Sequence, residues 1–222
     1  MKKKGLLVLM LCVITLLCFG CGKSLESYVE ENMAEITKTF YFGENETFYA
    51  TLSSGQREKE YLLNGVADDV TNFALLSVTF FEETNLQAIK VFVTIGEDKK
   101  EVELEYSPLA NAFLADLEKF VDEKPEIKIS YNNKTIELQN FSSKFVIDWQ
   151  KALEISVKEL KTEIEKEKKY ANLNAECYLK VLDKKANKFE DFFWCFTILN
   201  VKNESYSVVI STTDGSVLAK TK

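Results

Sequence analysis

Residues 148–164 read DWQKALEISVKELKTEI, and the reading of this run decides the fold expected for the chain around it. Trp149, Ala152, Leu153, Ser156, Val157, Leu160 and Ile164 recur at the 3.6-residue period, with Lys158, Lys161, Glu165 and Lys168 opposite. Asp148 is a fitting N-cap, so the spacing predicts an amphipathic helix over 148–169. Downstream the period falls to two, predicting strands over 175–182, 192–201 and 206–211 and a short one over 216–219 after Asp214-Gly215. A helix followed by an antiparallel meander predicts an α+β layer, the apolar stripe packed on one face of a three- to four-stranded antiparallel sheet.

Upstream, residues 37–142 alternate for long stretches. Strands are predicted around the Gly43-Glu44-Asn45-Glu46 turn, over 73–81, and over 88–95 and 101–106 joined by Gly96-Glu97-Asp98-Lys99. Asn132-Asn133 can take the positive φ of a two-residue hairpin between Ile127–Tyr131 and Ile136–Leu138. Pro108 is expected to open a short helix carrying Leu109, Phe113, Leu114, Leu117 and Phe120. Together these predict a small β-sandwich with a helix over one edge or end. A further short helix is predicted before it, from Leu25, Val29, Met33 and Ile36.

At the N-terminus Lys2, Lys3 and Lys4 precede an apolar run of 14 residues, Leu6 to Phe19. About 20 residues are needed to cross a bilayer as a helix, so the run reads as a signal-peptide core. Leu17-Cys18-Phe19-Gly20-Cys21 resembles a bacterial lipobox, although Cys18 stands where that motif prefers Leu. The resemblance implies cleavage after Gly20 and a diacylglycerol on Cys21. The expected organisation is a signal peptide over 1–20, an anchor linker and short helix over 21–36, an acidic β domain over 37–142 and an α+β domain over 143–222. Residues 21–142 carry 11 basic and 23 acidic side chains, against 14 and 12 in 143–222.

The C-terminal part also resembles the PepSY domain of secreted and membrane-attached bacterial proteins. The matching residues are Ala152-Leu153 near the start of the helix, Trp194 in a strand, and the ending from Tyr206 to Leu218. Ser211 stands where the family usually has Asp, and Asp214 where it has Thr. The resemblance implies an extracellular setting and, through a role proposed for some members, inhibition of peptidases. A cystatin-like helix on a sheet fits the same periodicity.

Cys177 and Cys195 lie on consecutive predicted strands. If the hairpin between them is symmetric about Ala186, they face each other across the ladder. They then form a structural disulfide, a redox switch, or a pair of buried thiols. Arg57 is the only arginine beside 27 lysines and follows Ser53-Ser54-Gly55-Gln56. Its planar donor fork suits a carboxylate or phosphate, so Arg57, Gln56 and Ser54 form a candidate contact loop, against the plainer reading of a turn whose arginine pairs locally. Asp68-Asp69, Glu82-Glu83 and Glu97-Asp98 read as solvated turns. Phe192, Trp194 and Phe196 share one strand face, Phe193 and Cys195 the other, which predicts a central strand.

The chain has no histidine, which removes histidine relays and imidazole-held metals. Its net charge of −7 offers little to a nucleic acid. No phosphate-binding loop, nucleophile elbow or Cys-x-x-Cys occurs, and no cofactor or metal site is expected. The expected function is therefore a non-enzymatic binding or interaction role for a lipoprotein on the extracytoplasmic face of a bacterial membrane, with an extracellular protein as partner. The alternatives are a secreted peptidase inhibitor or immunity-type protein, and a carboxylate-dependent wall- or carbohydrate-active hydrolase.

Overall fold

Alternation accounts for most of the strands. A computed structural model describes residues 23–59, 64–117, 126–170 and 172–222. Its strands are β1 (Met33–Glu44), β2 (Phe48–Glu58), β3 (Val70–Phe80), β4 (Ala88–Ile95), β5 (Asp98–Ser107), β6 (Ala112–Asp116), β7 (Ile127–Tyr131) and β8 (Lys134–Asn140), then β9 (Lys168–Lys169), β10 (Asn172–Leu173), β11 (Ala175–Leu182), β12 (Phe193–Asn200), β13 (Ser205–Ser211) and β14 (Val217–Thr221). Helix α1 (Leu25–Glu30) precedes them, and α2 (Trp149–Glu159) and α3 (Lys161–Glu167) lie between β8 and β9.

The expected α+β architecture, a separate β-sandwich beside a PepSY-like helix-on-sheet domain, is overturned. The fold is mostly β, and twelve strands form one sheet in the order β14-β13-β12-β11-β1-β2-β3-β6-β5-β4-β7-β8. A further pairing of β8 with β1 closes the eight strands from β1 to β8 into a barrel. Strand β1 belongs to both parts. Its first residues pair in parallel with β11, Met33 opposite Cys177 and Ile36 opposite Leu179, while Tyr41 and Phe42 pair with Asn140 and Gln139 of β8. The expected boundary between residues 36 and 37 therefore falls inside a strand. The helix expected from Leu25, Val29, Met33 and Ile36 also stops at Glu30, and Met33 and Ile36 belong to β1.

Close backbone approach permits both pairings. An added Cβ on Gly43 would stand 2.5 Å from the Glu137 carbonyl on β8, and one on Gly55 would stand 1.9 Å from the Ile36 carbonyl. The second contact marks the irregularity in β1 between Thr37 and Thr39, where the strand leaves β11 and turns toward β8.

An eight-stranded barrel is just wide enough for its own side chains. Tyr41, Phe48, Leu52, Leu76, Val78, Val91, Leu104, Phe113 and Ile129 are among the residues that fill it. A second core lies between the α2 and α3 stripe (Ala152, Leu153, Val157, Leu160, Ile164) and one face of the meander (Leu179, Trp194, Phe196, Ile198, Val208). Asp148 caps α2 by accepting from the Lys151 amide, and Trp194 donates its indole N–H to the Ile147 carbonyl at 2.8 Å. The expected single helix breaks at Leu160, which is not helical. Between the cores, Phe192 meets Phe40, Phe42 and Phe141 edge-on at 4.8–5.3 Å.

The helix expected from Pro108 is a turn followed by β6. Asn111 takes a left-handed φ of 49° and the chain reverses, pairing Ala112 with Ser107 and Phe113 with Tyr106. Leu109, counted in that helix's apolar stripe, is fully exposed. Residues 118–125 lie outside those described.

Candidate functional site

Four connections meet at one end of the barrel: the β1–β2 turn, the 81–87 loop between β3 and β4, the β5–β6 turn and the Asn132-Asn133 turn between β7 and β8. Three of them turn on asparagine, the β5–β6 turn through Asn111. Asn45 Oδ1 accepts from the Thr47 and Phe48 amides at 2.8 and 3.0 Å, and Asn132 and Asn133 both adopt positive φ. These turns surround the barrel mouth.

The mouth has an aromatic floor. Phe80 lies 5.1 Å from Tyr131, 5.9 Å from Phe48 and 5.7 Å from Phe113, and Phe113 lies 5.3 Å from Tyr106. The Tyr106 hydroxyl donates to Asn111 Oδ1 at 2.8 Å. Two pockets open above this floor. One, of about 350 Å³, is lined by Glu46, Thr47, Phe80, Leu86, Tyr131 and Lys134 and by Glu82, Glu83 and Thr84. The other, of about 310 Å³, shares Phe80, Glu82, Glu83 and Thr84 and adds Asn85, Tyr106, Asn111 and Phe113. The Glu82-Glu83-Thr84 segment is thus a wall common to both.

The charges here divide unevenly. Lys134 bonds to Glu46 at 2.9 Å, which holds the Glu46 carboxyl below its ordinary range, and also donates to the Thr47 hydroxyl. Lys185 pairs with Glu44 at 2.7 Å and lies over the Phe81 ring. Among the described residues no ion pair reaches Glu82 or Glu83, both exposed. Phe81, Leu86 and Leu109 are exposed on loops at this end. The mouth therefore offers apolar rings and two uncompensated carboxylates, which suits holding a ligand at a rim.

The residues singled out in the sequence lie elsewhere. Ser54, Gln56 and Arg57 are on β2, toward the end of the barrel away from the mouth, and not on a loop. Ser54 is fully buried, Gln56 accepts from Lys38 at 2.8 Å, and Arg57 pairs with Asp116 while its guanidinium stands 5.1 Å from the Phe73 ring. The expected loop is therefore a strand, and strand pairing and a partner in β6 engage these groups.

Cys177 faces Ile198 and Cys195 faces Lys180, so the hairpin is not symmetric about Ala186 and the two thiols sit on opposite faces of the sheet. Both are free, Cys177 within the helix-covered core and Cys195 half-buried. Burial raises both thiol pKa values. Cys21 and the lipobox lie outside the described residues.

The three acidic pairs do not converge. Glu82-Glu83 is at the mouth, while Asp68-Asp69 lies in the β2–β3 connection and Glu97-Asp98 at the β4–β5 turn, both at the other end. No cluster of three metal-ligating acids or cysteines occurs among the described residues. Near that far end two buried carboxylates brace the β2–β3 connection: Glu58 accepts from the Asp68 amide at 2.8 Å, and Glu176 from the Gly65 amide at 3.2 Å and the Tyr178 hydroxyl at 2.7 Å. Burial, with the nearby charges of Glu176 and Asp68, raises the Glu58 pKa, and its second oxygen has no hydrogen-bond partner. Sequence reasoning missed both, since an acid in an alternating run reads as solvent-facing. It also missed the mouth, whose residues come from four connections; the only signal was the turn chemistry at Asn45 and Asn132-Asn133.

No protein-family model matches the chain, and neither a curated protein nor a solved structure is significantly similar to it.

Proposed function

We propose that this protein is a non-enzymatic binding module, anchored through a lipid on Cys21 to the extracytoplasmic face of a bacterial membrane, which engages its ligand or partner at the barrel mouth. The observation that carries this reading is the course of β1. Lys23 follows Cys21 by two residues, a reach of about 7 Å at most, and leads directly into α1. From α1, β1 runs its 12 residues to the mouth, roughly 40 Å at about 3.3 Å per residue along the strand. A lipid at Cys21 therefore holds the α1 end near the bilayer and presents the mouth outward. Two acyl chains, at about 0.8 kcal/mol per buried methylene, make such an anchor stable. The filled barrel interior directs binding to the rim.

The test joins acylation to orientation. Palmitate is expected to label the protein in growing cells and not the Cys21→Ala variant. On intact cells a bulky, impermeant maleimide is expected to modify Glu83→Cys much faster than Glu26→Cys. Absent labelling, or equal protection of the two positions, overturns the reading.

A further inference from the structure

We infer that the mouth binds a basic polypeptide segment, two adjacent long cationic side chains entering the two pockets on either side of the Glu82-Glu83 wall. This rests on the mouth being the binding surface and adds the chemistry of its occupant. Charge complementarity carries the argument. Each of Glu44 and Glu46 has a lysine of this chain against it, while Glu82 and Glu83, which line both pockets, have none among the described residues. A ligand can supply the missing positive charge.

The floor selects the same chemistry. Tyr131 and Phe80 line one pocket, and Tyr106, Phe113 and Phe80 the other, so each offers aromatic rings for a cation and apolar surface for a methylene stem. Two pockets of about 350 and 310 Å³ that share a wall can take neighbouring side chains of one chain. The exposed Phe81, Leu86 and Leu109 provide apolar contacts for the rest of that segment. Arginine should be preferred to lysine, because a planar guanidinium can stack on a ring and accept a carboxylate along its edge. Phosphate-bearing ligands are disfavoured by the same carboxylates.

The experiment uses the mature lipoprotein in detergent micelles and a fluorescein-labelled Ser-Gly-Arg-Arg-Gly-Ser peptide, with Ser-Gly-Gln-Gln-Gly-Ser as its neutral counterpart. The expected result is about tenfold tighter binding of the arginine peptide, weakening as salt is raised and lost in the Glu82→Gln/Glu83→Gln double variant. Both substitutions are at exposed positions, and an unchanged thermal midpoint would establish that the variant is folded. Equal binding of the two peptides, or undiminished arginine-peptide binding by the double variant, overturns the inference. A photocrosslinker at position 86 separates the two levels: if the peptide fails but intact cells yield an adduct that Tyr131→Ala abolishes, the occupant is wrong and the mouth reading survives. If neither appears, both fall.

Discussion

At the scale of single residues, register decides chemistry. Cys177 and Cys195 lie on paired strands, yet their partners are Ile198 and Lys180. A shift in hairpin register moved them off one another and onto opposite sheet faces. Iodoacetamide applied to the folded protein is expected to alkylate Cys195 slowly and Cys177 only after denaturation, both raised thiol pKa values opposing reaction. Peptide mass mapping reads this directly, and a linked Cys177–Cys195 peptide would refute it. Glu58 makes a second residue-scale prediction. Its folded pKa lies above the ordinary 4.5, so the native state binds that proton more tightly than the unfolded chain. Its contribution is most favourable below pH 4.5 and is lost as the pH rises through the raised folded value. The Glu58→Gln variant lacks this loss. Its thermal midpoint relative to the native protein should therefore climb between acid and neutral pH, and a pH-independent difference would exclude the effect.

At the scale of elements, β1 carries the architecture. Its edge serves β11 first and β8 afterwards, and only Tyr41 and Phe42 pair with β8. A seam this short depends on Gly43, where any side chain meets the Glu137 carbonyl. Gly43→Val is expected to open the β1–β8 seam. Hydrogen exchange should then quicken at the β8 amides while β12 and β13 keep their protection, and unchanged β8 protection would show that the close approach does not limit closure. The turns were the best-read elements: Gly96 and Asn132-Asn133 form the hairpins their φ preferences predict. Residues 108–116 were misread because Phe113 and Leu117 are spaced for a helix as well as for alternate strand positions, and Asn111 resolved the ambiguity by reversing the chain.

At the scale of the whole molecule, two cores share one sheet and are joined by aromatic packing. Phe192 has no exposed surface and touches Phe40, Phe42 and Phe141, and the Lys184 ammonium stands over three of these rings. Calorimetry is expected to give one cooperative transition for the native protein. Phe192→Ala should cost about 3–5 kcal/mol and spread the melting of barrel and meander apart. Two separate transitions in the native protein would mean that β1 does not couple them. Orientation belongs to this scale as well, because the mouth is remote from α1 only through the direction of β1.

Most strand positions, the hairpin turns and the buried stripe of α2 were decided locally, by side-chain period and by backbone preferences of asparagine and glycine, and so were legible in the sequence. Barrel closure, the sharing of β1, the hairpin register that separates the cysteines and the assembly of the mouth depend on pairings between distant residues. Alternation states which face of a strand is apolar and not which strand lies beside it, so only the folded sheet could settle those.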